Sequence, residues 1–495
     1  MTMNRTKTLA GLLLIATGIF STLTSTTSHA MSVDWSGTYR FEYVEVDKTS
    51  LANPNLRKSY LLNYLSLSPK IIASDGINII SKLNMLPNSY YSDSQVGQQF
   101  GVGSNPHPNS NPPSSGTQDS SVAGGRQRGS YLQVSQMYLM INQEYGAIVV
   151  GRAPIQFGLG MTYNAGNGAF DHWSDTRDMV GFKFIIDHWS FMPIVDRVYD
   201  YSMAQGRDVQ DIIWNIEGNY PDTESVIGIW HQTRSSSNVS NDAPAVSLGG
   251  TGATVTGGWS VQDVNVYLAR GFESVKFRLE AGFRSGTTGV TTALGEDVKV
   301  NGYGVALEMD FPNAESRNMW QLRTGVASGD NPGTSTYEGF HLNRNYDVAF
   351  LLMNHPLGQY DLFRTNLQKN RDPNCTPTTT TPCSAAATDE SADEEVISNV
   401  YYFSPKYRYA VSDKVDFSGS LTYAQLQTNP ILNDTSTAMD VGYELDLGFT
   451  YKPTERVQWV NEIGLLLPGG AFKGGANGFT AGFNYGFQSK AAISF

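Results

Sequence analysis

Apolar and polar residues alternate with period two along most of this chain, the spacing that sends successive side chains to opposite faces of a β-strand. From Trp35 to Tyr43 the odd positions read Trp, Gly, Tyr, Phe, Tyr, while the even ones are Ser36, Thr38, Arg40 and Glu42. Val275, Phe277, Leu279, Ala281 and Phe283 oppose Lys276, Arg278, Glu280 and Arg284. Tyr443, Leu445, Leu447 and Phe449 likewise oppose Glu444, Asp446 and Thr450, and the stretch from Phe479 alternates to the final Phe495. That last run exceeds the roughly 3–10 residues of an ordinary globular strand. No helical period of comparable length occurs after the first thirty residues.

The pattern predicts strands near 33–46, 57–70, 72–86, 130–142, 145–156, 179–188, 190–200, 210–220, 224–233, 259–269, 274–285, 298–311, 317–328, 397–410, 414–427, 439–452, 456–467 and 477–495. The count is about eighteen, with sixteen as the alternative. Within 259–269 the alternation slips from Trp259 and Val261 to Val264, Val266 and Leu268, which predicts a bulge. Short connections (Asn142–Gly146, Asp187–Ser190, Asn219–Thr223, Ala269–Ser274, Val411–Lys414, Lys452–Arg456) alternate with long ones (Pro87–Gly129, Phe157–Asp178, Arg234–Gly258, Gly329–Ser398). Aromatic residues crowd the strand ends: Tyr401, Tyr402 and Phe403; Tyr407 and Tyr409; Tyr451 and Trp459. A soluble sandwich also alternates, but tight turns at one end, long loops at the other and aromatic girdles describe an all-β, transmembrane, antiparallel up-and-down β-barrel. An even strand number places both termini on the short-turn, periplasmic side. A barrel this wide encloses an aqueous lumen unless its loops fill it.

The first thirty residues read differently. Arg5 and Lys7 precede an apolar run from Leu9 to Phe20, and Ser28-His29-Ala30 ends it as a small-x-small cleavage site. That is a secretory signal peptide over 1–30, leaving 31–495 as an exported barrel of the cell outer membrane. Its removal takes the formal net charge from −12 to −14. So acidic a chain excludes nucleic acid as a partner, and 12% aromatic residues exclude intrinsic disorder. Charged residues are only 16%, yet no later run approaches the ~18 apolar positions of a spanning helix.

Phe495, with apolar residues at alternate positions before it, resembles the C-terminal signal that assembly machinery reads in bacterial outer-membrane barrels; Ile493 stands where many of them carry Tyr. Gly151-Arg152-Ala153-Pro154-Ile155-Gln156-Phe157-Gly158, Tyr443-Glu444-Leu445-Asp446-Leu447 and Leu467-Pro468-Gly469-Gly470-Ala471-Phe472 resemble segments of the alginate-export and related porin-like barrels. The resemblance implies eighteen strands and solute movement across the outer membrane. Alginate exporters line their channel with a strong positive field. Here the inward candidates are mixed, with Arg40, Arg152, Lys183, Lys276, Arg278, Arg284, Arg323, Lys406, Arg408 and Lys490 against Glu42, Glu217, Glu280, Glu308, Asp310, Asp416, Glu444, Asp446 and Glu462. Near balance favours a weakly selective diffusion pore over polyanion export.

Several residues invite specific roles. Arg152 falls on the polar parity of its strand and is expected to enter the lumen, opposite Asp171, Asp175 and Asp178, as part of a constriction; a wall salt bridge is the alternative. Arg40, Glu42, Arg278, Glu280, Arg323, Glu444 and Asp446 are the other pore-lining candidates. Val348-Ala349-Phe350-Leu351-Leu352-Met353, in the longest loop, would not stay in water and is expected to fold inward or onto the rim. Cys375 and Cys383 are expected to form a disulfide in an oxidising compartment. The acidic run Asp389, Glu390, Asp393, Glu394 and Glu395 lacks calcium-site spacing, reads as a solvated loop tip and would favour cations at one mouth. Asp171-His172-Trp173 and Asp187-His188-Trp189 lack a partnered nucleophile, so no enzymatic role is expected. The expected function is passive diffusion of small hydrophilic solutes or ions, without cofactor or metal. The alternative is a plugged barrel acting as a structural, adhesive or receptor surface protein. Expected partners are outer-membrane lipid and lipopolysaccharide, the barrel-assembly machinery, periplasmic chaperones and a second copy of the chain.

Overall fold

The computed structural model describes residues 32–48, 57–85, 98–99, 132–199, 209–236, 254–255, 257–258, 260–313, 315–331, 333–353, 397–429, 438–472 and 482–495. Eighteen antiparallel strands form one closed transmembrane barrel. They are β1 (Ser32–Val46), β2 (Lys58–Ser74), β3 (Ile77–Met85), β4 (Leu132–Gln143), β5 (Gly146–Pro154), β6 (Thr176–Ile186), β7 (Trp189–Tyr199), β8 (Val209–Tyr220) and β9 (Ser225–Ser236). The second half comprises β10 (Ser260–Gly271), β11 (Lys276–Thr291), β12 (Asp297–Pro312), β13 (Met319–Ala327), β14 (Val400–Ala410), β15 (Val415–Leu426), β16 (Asp440–Thr454), β17 (Val457–Pro468) and β18 (Asn484–Ser494). Each strand pairs with its chain neighbours, and β1 closes the cylinder on β18 from Thr38↔Ser494 to Val46↔Gly486. At that seam Gly37 and Phe495 exchange two backbone hydrogen bonds, 2.9 and 3.0 Å. Three two-residue strands, Gln98–Gln99, Thr254–Val255 and Thr336–Tyr337, add to β2, β11 and β12.

Closure satisfies every edge, which is the condition for a sheet to cross lipid. The outward face is accordingly apolar. Trp35, Val180, Ile186, Trp214, Phe283, Trp320, Tyr401, Phe403, Tyr443 and Trp459 are all exposed. Tight connections join β2 to β3, β4 to β5 and so on around the periplasmic end, and the longer loops occupy the other end. The five-residue link 292–296 is an exception to the strict short–long alternation.

Four local expectations need correction. The strand read as ending at 70 continues to Ser74, and the turn falls at Asp75–Gly76, with Gly76 at φ +78°, inside the stretch read as the start of the next strand. β10 pairs in unbroken register on both sides, so there is no bulge at Val261–Val264. Val261 is an apolar residue on the inner face, 4% exposed, and its burial broke the apparent parity. Tyr402 points inward rather than into an aromatic girdle. The last strand begins at Asn484, and the part of the predicted 477–495 run at 477–481 lies outside the described residues. The expected signal peptide at 1–30, loop residues 86–97 and 100–131, Cys375, Cys383 and the acidic run at 389–395 also lie outside them.

Candidate channel interior

Two loop segments enter the barrel. The β5–β6 connection, residues 155–175 (insert A), buries Phe157, Met161, Tyr163, Ala165 and Trp173. The described part of the β13–β14 connection, residues 328–353 (insert B), buries Phe340, Leu342, Tyr346 and all six residues of Val348–Met353 at 8% exposure or less. The apolar stretch therefore folds inward. Each buried Leu, Phe or Met side chain contributes roughly 1.5–3 kcal/mol, enough to hold a loop that would otherwise stay in solvent.

The inner wall is shaped to receive both inserts. Gly282 and Gly304 leave room for Phe340, and Gly464 and Gly486 for Phe350; a Cβ at any of the four would lie within 3.0 Å of the facing ring. Two wall carboxylates pin the backbones. Glu280 of β11 accepts from the amides of Leu159, Met161 and Thr162 in insert A, at 2.8 to 3.2 Å. Glu444 of β16 accepts from Leu351 and Leu352 in insert B, at 2.7 and 2.5 Å. Asn343 and Asn345 tie the inserts together. The Asn343 side chain donates to Asp175 (2.7 Å), while the Asn345 amide oxygen accepts from the amides of His172 and Trp173.

Beneath insert A the wall carries a ladder of three ion pairs on six successive strands, with the carboxylates of the first two, Asp196 and Asp211, side by side. Arg177 of β6 lies 3.3 Å from Asp196 of β7 and 4.0 Å from Asp211 of β8. Asp211 accepts both Arg234 Nε and Nη2 from β9, and Asp263 of β10 is paired with Arg284 of β11 at 2.7 Å. Tyr163 of insert A donates to Gln232, which donates to Asp211. Each charge thus faces its opposite across a strand boundary, the condition for burying ions. Nothing in the alternation alone identified Arg177, Asp196, Asp211, Arg234 or Asp263. Their strands mix buried apolar and polar residues on the inner face, with Ile194, Ile213 and Trp230 among them.

Arg152 aside, the sequence-derived candidates fall into four groups. Arg40 and Glu42 are inward and buried at 3% and 1%, ion-paired at 3.0 Å. Arg40 also donates to the Asp171 carbonyl, and Glu42 meets His172 Nε2 at 2.8 Å. Burial holds the His172 imidazole below its usual range against the pull of Glu42. Arg278 bridges Glu308 and Asp310 of β12, and Arg323 lies 3.4 Å from Glu308. Glu280, Glu444 and Asp446 line the inner wall, Glu280 and Glu444 as loop anchors. Asp171 turns its carboxylate back to the Gly168 amide, and Asp175 caps Asn164. Burial raises the Asp175 carboxyl above its ordinary value.

Arg152 is the correction. Its neighbours Val149 and Ala153 are buried while Val150 is exposed, so Arg152 shares the outward parity of Val150. It makes a two-pronged pair with Asp178, 2.7 Å on each arm, with both side chains about half exposed. It does not face Asp171 or Asp175. The misreading has a physical source. Insert A makes the inner face of β5 as apolar as the lipid face, so Ala147–Val150 offers no contrast from which to read direction.

On the far side of the inserts, charge is left over. Lys406 of β14 and Lys490 of β18 face inward with no ion-pair partner among the described residues, and Lys490 Nζ lies 5.2 Å from the Phe170 ring centre. Asp347 of insert B stands within electrostatic range of Lys490, Arg323, Asp171 and Glu462. Its Oδ1 is buried without a hydrogen-bond partner. These groups gather between insert B, Phe170 of insert A and the inner faces of β13, β14, β17 and β18.

No family model matches the chain, and no curated protein matches it in sequence. The resemblance of the Gly151, Tyr443 and Leu467 segments to alginate exporters is therefore not supported. Among solved structures the chain is similar to Pseudomonas aeruginosa OccK9 (OpdG), with TM-score 0.50, 10% identity, and coverage of 94% of this chain and 98% of that one. It is similar also to Acinetobacter baumannii OccAB1, with TM-score 0.50, 9% identity, and coverage of 94% and 96%. A BenF-like porin from Pseudomonas fluorescens Pf-5 aligns at TM-score 0.47 and 8% identity, over 94% and 98%. At these identities the shared property is the fold, the eighteen-stranded closed barrel of outer-membrane porins.

Proposed function

We propose that the chain is a passive outer-membrane channel for small hydrophilic solutes or ions, narrowed by inserts A and B. The observation that carries this reading is that Lys406 and Lys490 face inward without an ion-pair partner among the described residues. An ion sealed in a dry interior costs on the order of several kcal/mol unless it is paired, whereas the same ion beside water keeps its hydration. In the ladder from Arg177 to Arg284, by contrast, three arginines stand against three aspartates. Unmatched lysines on the remaining wall therefore mark where water runs. In this reading the partners are outer-membrane lipid and lipopolysaccharide, the assembly machinery that receives Phe495, and periplasmic chaperones.

The plugged-barrel reading draws on one observation, the apolar seat that clamps Phe340 to Met353. Reconstitution separates the two. Purified protein in planar bilayers should give discrete conductance steps, and liposomes containing it should swell in small sugars. Refolded protein that neither conducts nor admits sugars would establish the plug instead.

A further inference from the structure

We propose that Asp347 sets the ion selectivity of the neck, and that uptake of one proton by its carboxylate shifts that selectivity toward anions. The proposal rests on the channel reading above and deepens it.

The first support is rigidity. Asp347 lies between buried Tyr346 and Val348, and its own carbonyl accepts from Arg323 Nη1 of β13 at 2.8 Å. The Val348 carbonyl accepts from Ser404 of β14 and Thr422 of β15, both at 3.3 Å. Tyr402 donates to the Tyr346 hydroxyl. Three strands thus fix the backbone on either side, so the carboxylate cannot swing out of the passage without breaking those contacts.

The second support is the charge around it. The groups facing Asp347 are Lys490 on β18, Arg323 on β13, Glu462 on β17 and Asp171 on insert A. Lys406 on β14 sits within range of Arg323, Glu462 and Lys490. Behind them, Arg323 is shared with Glu308 of β12, and on β16 Glu444 is engaged by two amides of insert B with Asp446 beside it. Lys406, Lys490 and Arg323 meet Asp171, Asp347, Glu462 and Asp446 here, so neutralising Asp347 removes one negative charge and moves the local field toward anions. The carboxylate has no hydrogen bond on Oδ1 to hold it ionised, and burial pushes its pKa up to about 7. The proton is therefore exchanged in the neutral range, where an ordinary carboxyl is already ionised.

The test is reversal potential in planar bilayers under a salt gradient, kept below about 0.1 M so that screening does not erase the field. The wild-type cation-to-anion permeability ratio should fall roughly two- to fivefold between about pH 9 and about pH 5, as loss of one nearby unit charge implies. Asp347→Asn should show the low, acid-type ratio at both pH values. Asp347→Glu, which keeps a titratable group, should retain the change. A conducting Asp347→Asn channel that titrates like the wild type, or a wild-type ratio that does not change with pH, would overturn the assignment. Wild-type protein that never conducts would instead remove the channel reading, a separate failure. Should Asp347→Asn not refold, the wild-type and Asp347→Glu titrations decide alone, and their absence overturns the proposal.

Discussion

The ring of Phe340 rests directly on the backbone of Gly304: a Cβ at position 304 would lie 2.6 Å from ring carbon Cδ1. Real Cβ contacts do not come this close, so the wall glycine and the loop aromatic specify one another. Gly304→Ala should lift insert B from its seat, with a stability cost of about 1–3 kcal/mol and a larger single-channel conductance. Gly419→Ala is the control. That glycine also lies inside a strand, but its added Cβ would meet Leu447 at 3.7 Å and the Asp446 carbonyl at 4.0 Å, both ordinary contacts, so stability and conductance should hold. Thermal melts in detergent and bilayer recordings of both variants provide the comparison.

The two carboxylate anchors predict graded effects. Glu444→Ala would leave the amides of Leu351 and Leu352 buried without an acceptor, and Glu280→Ala would orphan three amides of insert A. Each stranded polar group costs about 1–3 kcal/mol. Limited proteolysis should then cut insert B first in Glu444→Ala and insert A first in Glu280→Ala. Equal cleavage of both inserts in either variant would mean that the anchors do not act locally.

Period-two alternation located all eighteen strands because lipid outside and polar wall inside leave a contrast at most positions. It failed where that contrast is lost. At Arg152 an insert makes the inner face apolar, and at Val261 an inner apolar residue copies the lipid parity. The site was only partly legible. Arg40, Glu42, Glu280, Arg323, Glu444 and Asp446 could be assigned to the inner wall by parity alone. That Glu280 and Glu444 bind loop amides could not be, because their partners lie 121 and 93 positions away in the chain. Asp347 sits in a loop without periodicity, so no alternation pointed to it. The inward fate of Val348–Met353 was legible for a different reason, since six consecutive apolar residues have few other places to go.

Arg152 and Lys490 should respond in opposite ways to removal. Arg152 forms a half-exposed pair on the outer surface, and such pairs are worth about 0–1 kcal/mol. Arg152→Ala should therefore leave conductance and selectivity unchanged, with at most a small shift in melting. Lys490→Ala removes an unpaired cation beside Phe170 and should raise the cation-to-anion permeability ratio at low salt. Selectivity that follows Arg152 rather than Lys490 would put the neck on the wrong side of the wall.

The ladder beneath insert A should be a sensitive part of the wall, because its buried carboxylates are held by half-buried arginines and a pair broken singly leaves a charge behind. Asp211 is fully buried and holds Arg234 by two hydrogen bonds, with Arg177 nearby and Gln232 donating to it. Asp211→Asn would leave Arg234 beside a neutral amide, and removal of one partner of a buried pair costs about 3–5 kcal/mol. Replacing both ends, Asp211→Leu with Arg234→Met, removes the charges together and should recover much of that loss, since two apolar residues of similar bulk need no counter-ion. A double-mutant cycle read by thermal or chemical unfolding in detergent micelles measures the coupling. Additive losses in the double variant would show that the two side chains do not stabilise one another, and that the ladder is held by the strands rather than the reverse.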